Sequence, residues 1–185
     1  ALANAEKAGL LATGCDVTDC GILPTPALQY LVQEHFAAGA MITASHNPPE
    51  YNGVKVIEPD GTEMGDEETI RLELRILDDE VPLVPWNAAG REYQACHLVH
   101  EYIDAVVQKF LPGIGEGITV AVDPGCGAAC ATTPEILTRL GCRVFTINSQ
   151  MERNFPGRLP EPSTQELLPL GDLVRASGAS LGIAH

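Results

Sequence analysis

The sequence predicts an α/β protein: two consecutive three-layer α/β/α domains with mixed, mostly parallel sheets. Three observations predict it. Short apolar runs alternate with longer amphipathic stretches along the whole chain, the pattern of strands joined by covering helices. Glycines and prolines punctuate the boundaries between them. With 185 residues, 45% of them hydrophobic, the chain has room for one or two domains and is apolar enough to bury a real core.

The elements follow in order. Residues 1–11 are rich in Ala and Leu and stop at Gly14, as a helix with a C-terminal glycine does. Residues 15–22 lean towards a short strand. Thr25-Pro26 reads as an N-cap followed by proline in the first turn, opening a helix that runs to Gly39 through Ala27, Tyr30, Leu31, Gln33 and Phe36. Met41-Ile42-Thr43 and residues 54–57 are short strands flanking a polar loop. Residues 66–77 form a helix with an acidic first turn, with Ile70, Leu72, Leu74 and Ile76 inside it. Residues 81–91 hold Pro82, Pro85, Trp86 and Gly90 and are irregular. They begin the inter-domain region, which places the first domain at residues 1–95 and the second at 96–185.

Residues 97–111 are helical, with Tyr102, Ile103, Val106, Val107 and Phe110 on one side. The strand of residues 118–122 ends in Asp123-Pro124-Gly125. A helix over 128–140 stops at Gly141, and a strand follows over 143–147. A proline-rich connector over 155–162 leads to a helix over 163–176 and a last strand over 180–184.

Net charge is −14, from 11 basic and 25 acidic side chains. Such a surface repels nucleic acid and anionic membrane, which removes both as partners. A phosphate-handling site on it needs local positive charge, a metal or converging backbone N–H groups. The longest apolar runs fall far short of the roughly 20 residues that span a bilayer, and residues 1–10 do not read as a secretory signal. Cys15, Cys20, Cys96, Cys126, Cys130 and Cys142 form no CxxC pair, which argues against zinc and for buried, reduced thiols in a cytoplasmic protein.

The chemistry concentrates in Thr43-Ala44-Ser45-His46-Asn47-Pro48-Pro49-Glu50-Tyr51-Asn52-Gly53-Val54-Lys55. Small residues, prolines and a glycine between two strands make a loop of one shape, as a preorganised site requires. It carries a hydroxyl, an imidazole, an amide and, ten residues past the hydroxyl, an amine. Ser45 can carry a phosphate. His46 and Lys55 can offset its charge, and Lys55 can move a proton. Taken by composition alone, the same residues also read as a turn serine, a solvated histidine and a strand-edge lysine. A serine hydrolase is disfavoured, because no GxSxG elbow is present and adjacent Ser and His rarely form the needed hydrogen bond.

This string resembles the phosphoserine loop of the α-D-phosphohexomutases. The resemblance implies that Ser45 is the phosphoserine, that His46 lines the phosphate site, that Lys55 is the loop lysine placed as general acid/base, and that Asn47 has a polar role in the same loop. Gly21-Ile22-Leu23-Pro24-Thr25-Pro26-Ala27 is similar to the family's segment ahead of that loop. Asp123-Pro124-Gly125-Cys126-Gly127-Ala128 is similar to its turn after the first strand of domain II, equally readable as a plain strand-to-helix turn. Residues 155–162 are similar to the connector before its metal-binding strand, and an ordered connector is the favoured reading of them.

The resemblance implies a four-domain enzyme that interconverts hexose 1-phosphates and 6-phosphates through a hexose 1,6-bisphosphate. It also implies Mg²⁺, held by the Ser45 phosphate and by three aspartates of a loop that is absent after His185. The family's opening arginine segment and its third and fourth domains are absent too, so the chain reads as a portion of a longer enzyme, inactive alone. Phosphomannomutase/phosphoglucomutase ranks first, phosphoglucosamine mutase second, and a non-catalytic sugar-phosphate binding module is the rival from another class. The sequence carries no signal for an oligomeric state.

Overall fold

The computed structural model describes residues 1–48, 50–78 and 81–185. Pro49 of the serine loop therefore lies outside the described residues. The elements run α1 (Leu2–Ala12), β1 (Val17–Asp19), α2 (Thr25–His35), β2 (Gly39–Ile42), β3 (Val54–Ile57), α3 (Asp66–Leu77), β4 (Glu92–Gln94), α4 (Val99–Gln108), β5 (Thr119–Asp123), α5 (Thr133–Arg139), β6 (Arg143–Thr146), α6 (Leu168–Ser177) and β7 (Leu181–Ala184). The fold is α/β with mixed sheets. β1 and β4 pair parallel, β2 and β3 antiparallel, and a parallel sheet has the order β6-β5-β7.

The chain forms two compact units. One comprises Ala1–Gly21, Leu28–Thr43 and Gly53–Leu98; the other comprises Ile22–Ala27, Ala44–Asn52 and Val99–His185. In the first, Leu28, Leu31, Val32 and Ile57 are buried. α2 turns Leu28, Leu31 and Val32 inward, which is the i, i+3, i+4 stripe of a helix packed along one side. α1 is tied down by Lys7, whose Nζ donates to Asp19 Oδ2 on β1 (2.8 Å) and to Glu92 Oε1 on β4 (2.6 Å). In the second unit β5 is the central strand and is buried from Val120 to Asp123, as a parallel strand covered on both faces must be.

Four expectations are corrected. The second helix ends at His35, and Gly39 opens β2 instead of closing the helix. A Cβ on Gly39 would lie 2.5 Å from Val32 Cγ2, so only glycine lets this strand approach α2 so closely. The helix expected over 128–140 is broken at Thr132. A short 3-10 turn, Ala128–Ala131, precedes α5, because Pro134 in the first turn of α5 has no N–H to carry the helical ladder back across Thr132. The last helix begins at Leu168 rather than 163, since Pro169 cannot donate to the turn before it. β4 was not foreseen. Glu92, Tyr93 and Gln94 are all exposed and show no apolar alternation, so only pairing with β1 makes them a strand.

Candidate active site

The serine loop is closed at its base by the Thr43 amide, which donates to Gly53 O (2.9 Å) where β2 gives way to β3. Two turns shape its interior. The Asn47 amide donates to Ala44 O and the Tyr51 amide to Pro48 O, each at 3.0 Å. Ser45 is the second residue of the first turn and has φ of +56°, in the left-handed region. That conformation costs an L-residue about 1–2 kcal/mol, and turns of this hand ordinarily take Gly or Asn there. A serine held so against its preference is a stored constraint of the kind found at functional sites.

Ser45, His46 and Asn47 are all exposed. Ser45 Oγ and His46 Nδ1 are 3.4 Å apart, at the long limit of a hydrogen bond whose donor is set by the imidazole tautomer. Lys55 lies on β3, opposite Met41 of β2, and is partly exposed. Its Nζ donates to both carboxylate oxygens of Glu63, at 2.9 and 3.2 Å. Nothing in the sequence marks Glu63 as a partner, because an acidic residue eight positions on reads as a solvated charge until the chain folds back.

Among the described residues no three His, Cys, Asp or Glu side chains gather as a metal site. Those residues therefore offer Mg²⁺ no carboxylate cluster, and a complete site does not fit them. Among the thiols, Cys126 is buried as expected, but Cys15 and Cys96 are exposed; all six are free.

The Asp123-Pro124-Gly125-Cys126 segment is a tight turn leaving β5, with φ of +61° at Gly125 and +58° at Cys126. Asp123 is wholly buried. It accepts from the Gly125 amide (2.8 Å), Asn148 Nδ2 (3.1 Å) and Arg158 Nε (2.9 Å). Arg158 is buried as well, and each of its five N–H groups has an acceptor: Asp123 Oδ2 and the carbonyls of Asp123, Leu159, Pro160 and His185. A Cβ on Gly125 would sit 2.7 Å from the guanidinium, so glycine leaves the space that Arg158 fills. This pair joins the expected turn to the expected connector, and sequence reasoning missed it. Burial first, then the Arg158 charge, lowers the His185 imidazole below its ordinary pKa, while Asp123 pulls the other way.

Two family models match the chain. One describes phosphoglucomutase/phosphomannomutase, alpha/beta/alpha domain I, over residues 1–81; the other describes alpha/beta/alpha domain II of the same proteins over residues 100–185. A Methanosarcina barkeri protein named "Probable phosphoglucosamine mutase" is 41% identical over 182 residues, which is 98% of this chain and 41% of that protein. A Thermococcus kodakarensis protein named phosphoglucomutase/phosphomannomutase is 39% identical over 194 aligned residues, covering 100% of this chain and 41% of that protein. The crystal structure of a Burkholderia thailandensis phosphoglucomutase/phosphomannomutase family protein superposes with a TM-score of 0.84 at 26% identity, over 98% of this chain and 40% of that one. The chain thus spans about two fifths of the length of the curated relatives it matches.

Proposed function

Because the chain belongs to the phosphoglucomutase/phosphomannomutase family, with segments matching its alpha/beta/alpha domains I and II, we propose that Ser45 is the phosphate carrier of a hexose-phosphate mutase. The observation that carries the reading is an exposed serine at φ +56° in a loop closed by Thr43 and Gly53, with an imidazole nitrogen 3.4 Å from its Oγ. Strain and exposure together suit a group that must meet a substrate in one orientation.

In this mechanism the phosphorus leaves Ser45 Oγ for a free hydroxyl of a hexose monophosphate. Lys55, as the neutral amine, takes the proton that the hydroxyl loses and becomes the ammonium. The hexose 1,6-bisphosphate turns round, its other phosphate passes to Ser45 Oγ, and Lys55 returns the proton to the sugar oxygen left behind. His46 offsets phosphate charge beside Ser45, and Asn47 contributes a polar contact to the same group. Mg²⁺, when bound at the Ser45 phosphate, would neutralise charge in the transfer. No carboxylate cluster among the described residues supplies its remaining ligands.

The active enzyme is the full-length protein, in which residues 1–95 and 96–185 serve as the first two domains. No helix among the described residues is long and apolar enough to cross a membrane; action on a sugar phosphate in the cytoplasm rests on the reading of the cysteines as reduced thiols. We rank glucosamine phosphate ahead of mannose and glucose phosphates, reversing the order ranked from the sequence alone, because the 41% identical relative carries that name.

Intact mass before and after phosphatase treatment, with peptide mapping, tests the reading. A loss of one phosphate mapped to Ser45, and no turnover of glucosamine, mannose or glucose phosphate by Ser45→Ala in the full-length protein, is the expected result. Undiminished turnover by that variant would remove the proposal. A variant protein that merely binds sugar phosphate, with no phosphate ever found on Ser45 in the parent, would favour a non-catalytic module.

A further inference from the structure

The chain reverses after β3 and runs back along it. The Glu58 amide donates to Thr62 O (2.8 Å), the Met64 amide donates to Val56 O (2.9 Å), and Glu63 bridges Ile57 in antiparallel fashion. Asp60 Oδ1 accepts from both the amide (2.9 Å) and the hydroxyl (2.7 Å) of Thr62, which locks the bend one residue before Glu63. Glu63 is therefore held on both sides by backbone pairing. Lys55 and Ile57 lie two apart on one strand and share a face, and the residue paired with Ile57 presents its side chain to that same face. Backbone geometry alone thus brings the Glu63 carboxylate to Lys55.

We infer that Glu63 is a positioning residue for Lys55, holding the amine in one place for proton transfer. This rests on the reading of Lys55 as the acid/base group. Glu63 takes Nζ with both oxygens, at 2.9 and 3.2 Å. The side chains are 37% and 45% exposed, so the pair adds little to stability. Its consequence is geometric. A lysine has four rotatable bonds, and a fixed carboxylate selects one arrangement from many. The ammonium paired with Glu63 is the form that returns a proton to the sugar oxygen, and an acid/base group must lie within hydrogen-bond reach of the proton it moves, so losing that selection lowers the rate of transfer more than the affinity for substrate.

The test uses the full-length protein and glucosamine, mannose or glucose phosphate, whichever turns over fastest. Glu63→Ala is expected to lower kcat by about tenfold to a hundredfold, with KM changed less than about twofold. Glu63→Gln, which keeps an acceptor for the ammonium, is expected to restore most of kcat. In a Lys55→Met background, Glu63→Ala is expected to remove nothing further. An unchanged kcat in Glu63→Ala overturns the inference. So does a loss confined to KM, or an equal loss in the Lys55→Met background, which would trace the effect to folding or to another group. If Lys55→Met alone turns over at the parent rate, the acid/base reading of Lys55 fails, and the role of Glu63 goes with it; an inactive Lys55→Met with a fully active Glu63→Ala sinks only the role of Glu63.

Discussion

Ser45 carries two properties that substitution can separate: its hydroxyl and its left-handed backbone. Alanine removes the first and keeps the second. Glycine removes both, because without a Cβ the positive φ costs nothing. Ser45→Gly is therefore expected to be as inactive as Ser45→Ala yet more stable than it, by about 1 kcal/mol after the larger unfolded-state entropy of glycine is counted. Denaturant titration of the two variants measures the difference, and an equal midpoint would mean that the turn relaxes when the hydroxyl is lost. The hydroxyl, imidazole and amine of this loop were all legible in the sequence. The sign of φ at Ser45 was not, since serine ordinarily avoids that region.

At the level of elements, α1 reaches β1 and β4 through one ammonium. Lys7 bonds Asp19 and Glu92, and the Lys7 bond, then the Gly21 amide, hold the Asp19 carboxyl below its ordinary value of 3.8. A carboxyl with a depressed folded-state pKa contributes stability above its unfolded value and loses it as pH falls through the folded one. Stability is thus expected to fall as the solution is acidified below about pH 3.8, and Lys7→Met is expected to make that acid limb shallower. Thermal melts across that range check it; identical limbs for the two proteins would show that the ammonium is not the cause. β4 shows why this contact was invisible in the sequence. Its three residues are exposed and polar, and their strand character comes from pairing with Val17–Asp19 some 75 positions earlier.

At the scale of the whole molecule, the Asp123–Arg158 pair is buried on both sides. It links the end of β5, the turn after it, the connector after Arg158 and the carbonyl of His185. Removing one partner leaves an uncompensated buried charge, so Arg158→Met is expected to destabilise by about 3–5 kcal/mol in denaturant titration. Adding Asp123→Asn to that variant is expected to recover part of the loss, because the stranded carboxylate is then neutral. A loss below about 1 kcal/mol in the single variant would mean that water reaches the pair.

Local features can be read before the chain folds. The extents of α1, β3 and α3 follow from apolar spacing, an acidic first turn and glycine stops, and the serine loop is legible because its residues are contiguous. Which distant groups meet is settled only in the folded chain. Arg158 sits among prolines and reads as a solvated charge, and Glu63 reads as one acid among many. Each acquires its partner because backbone pairing and burial exclude water around one particular carboxylate or ammonium, and that exclusion is a property of the folded chain that no short stretch of sequence contains.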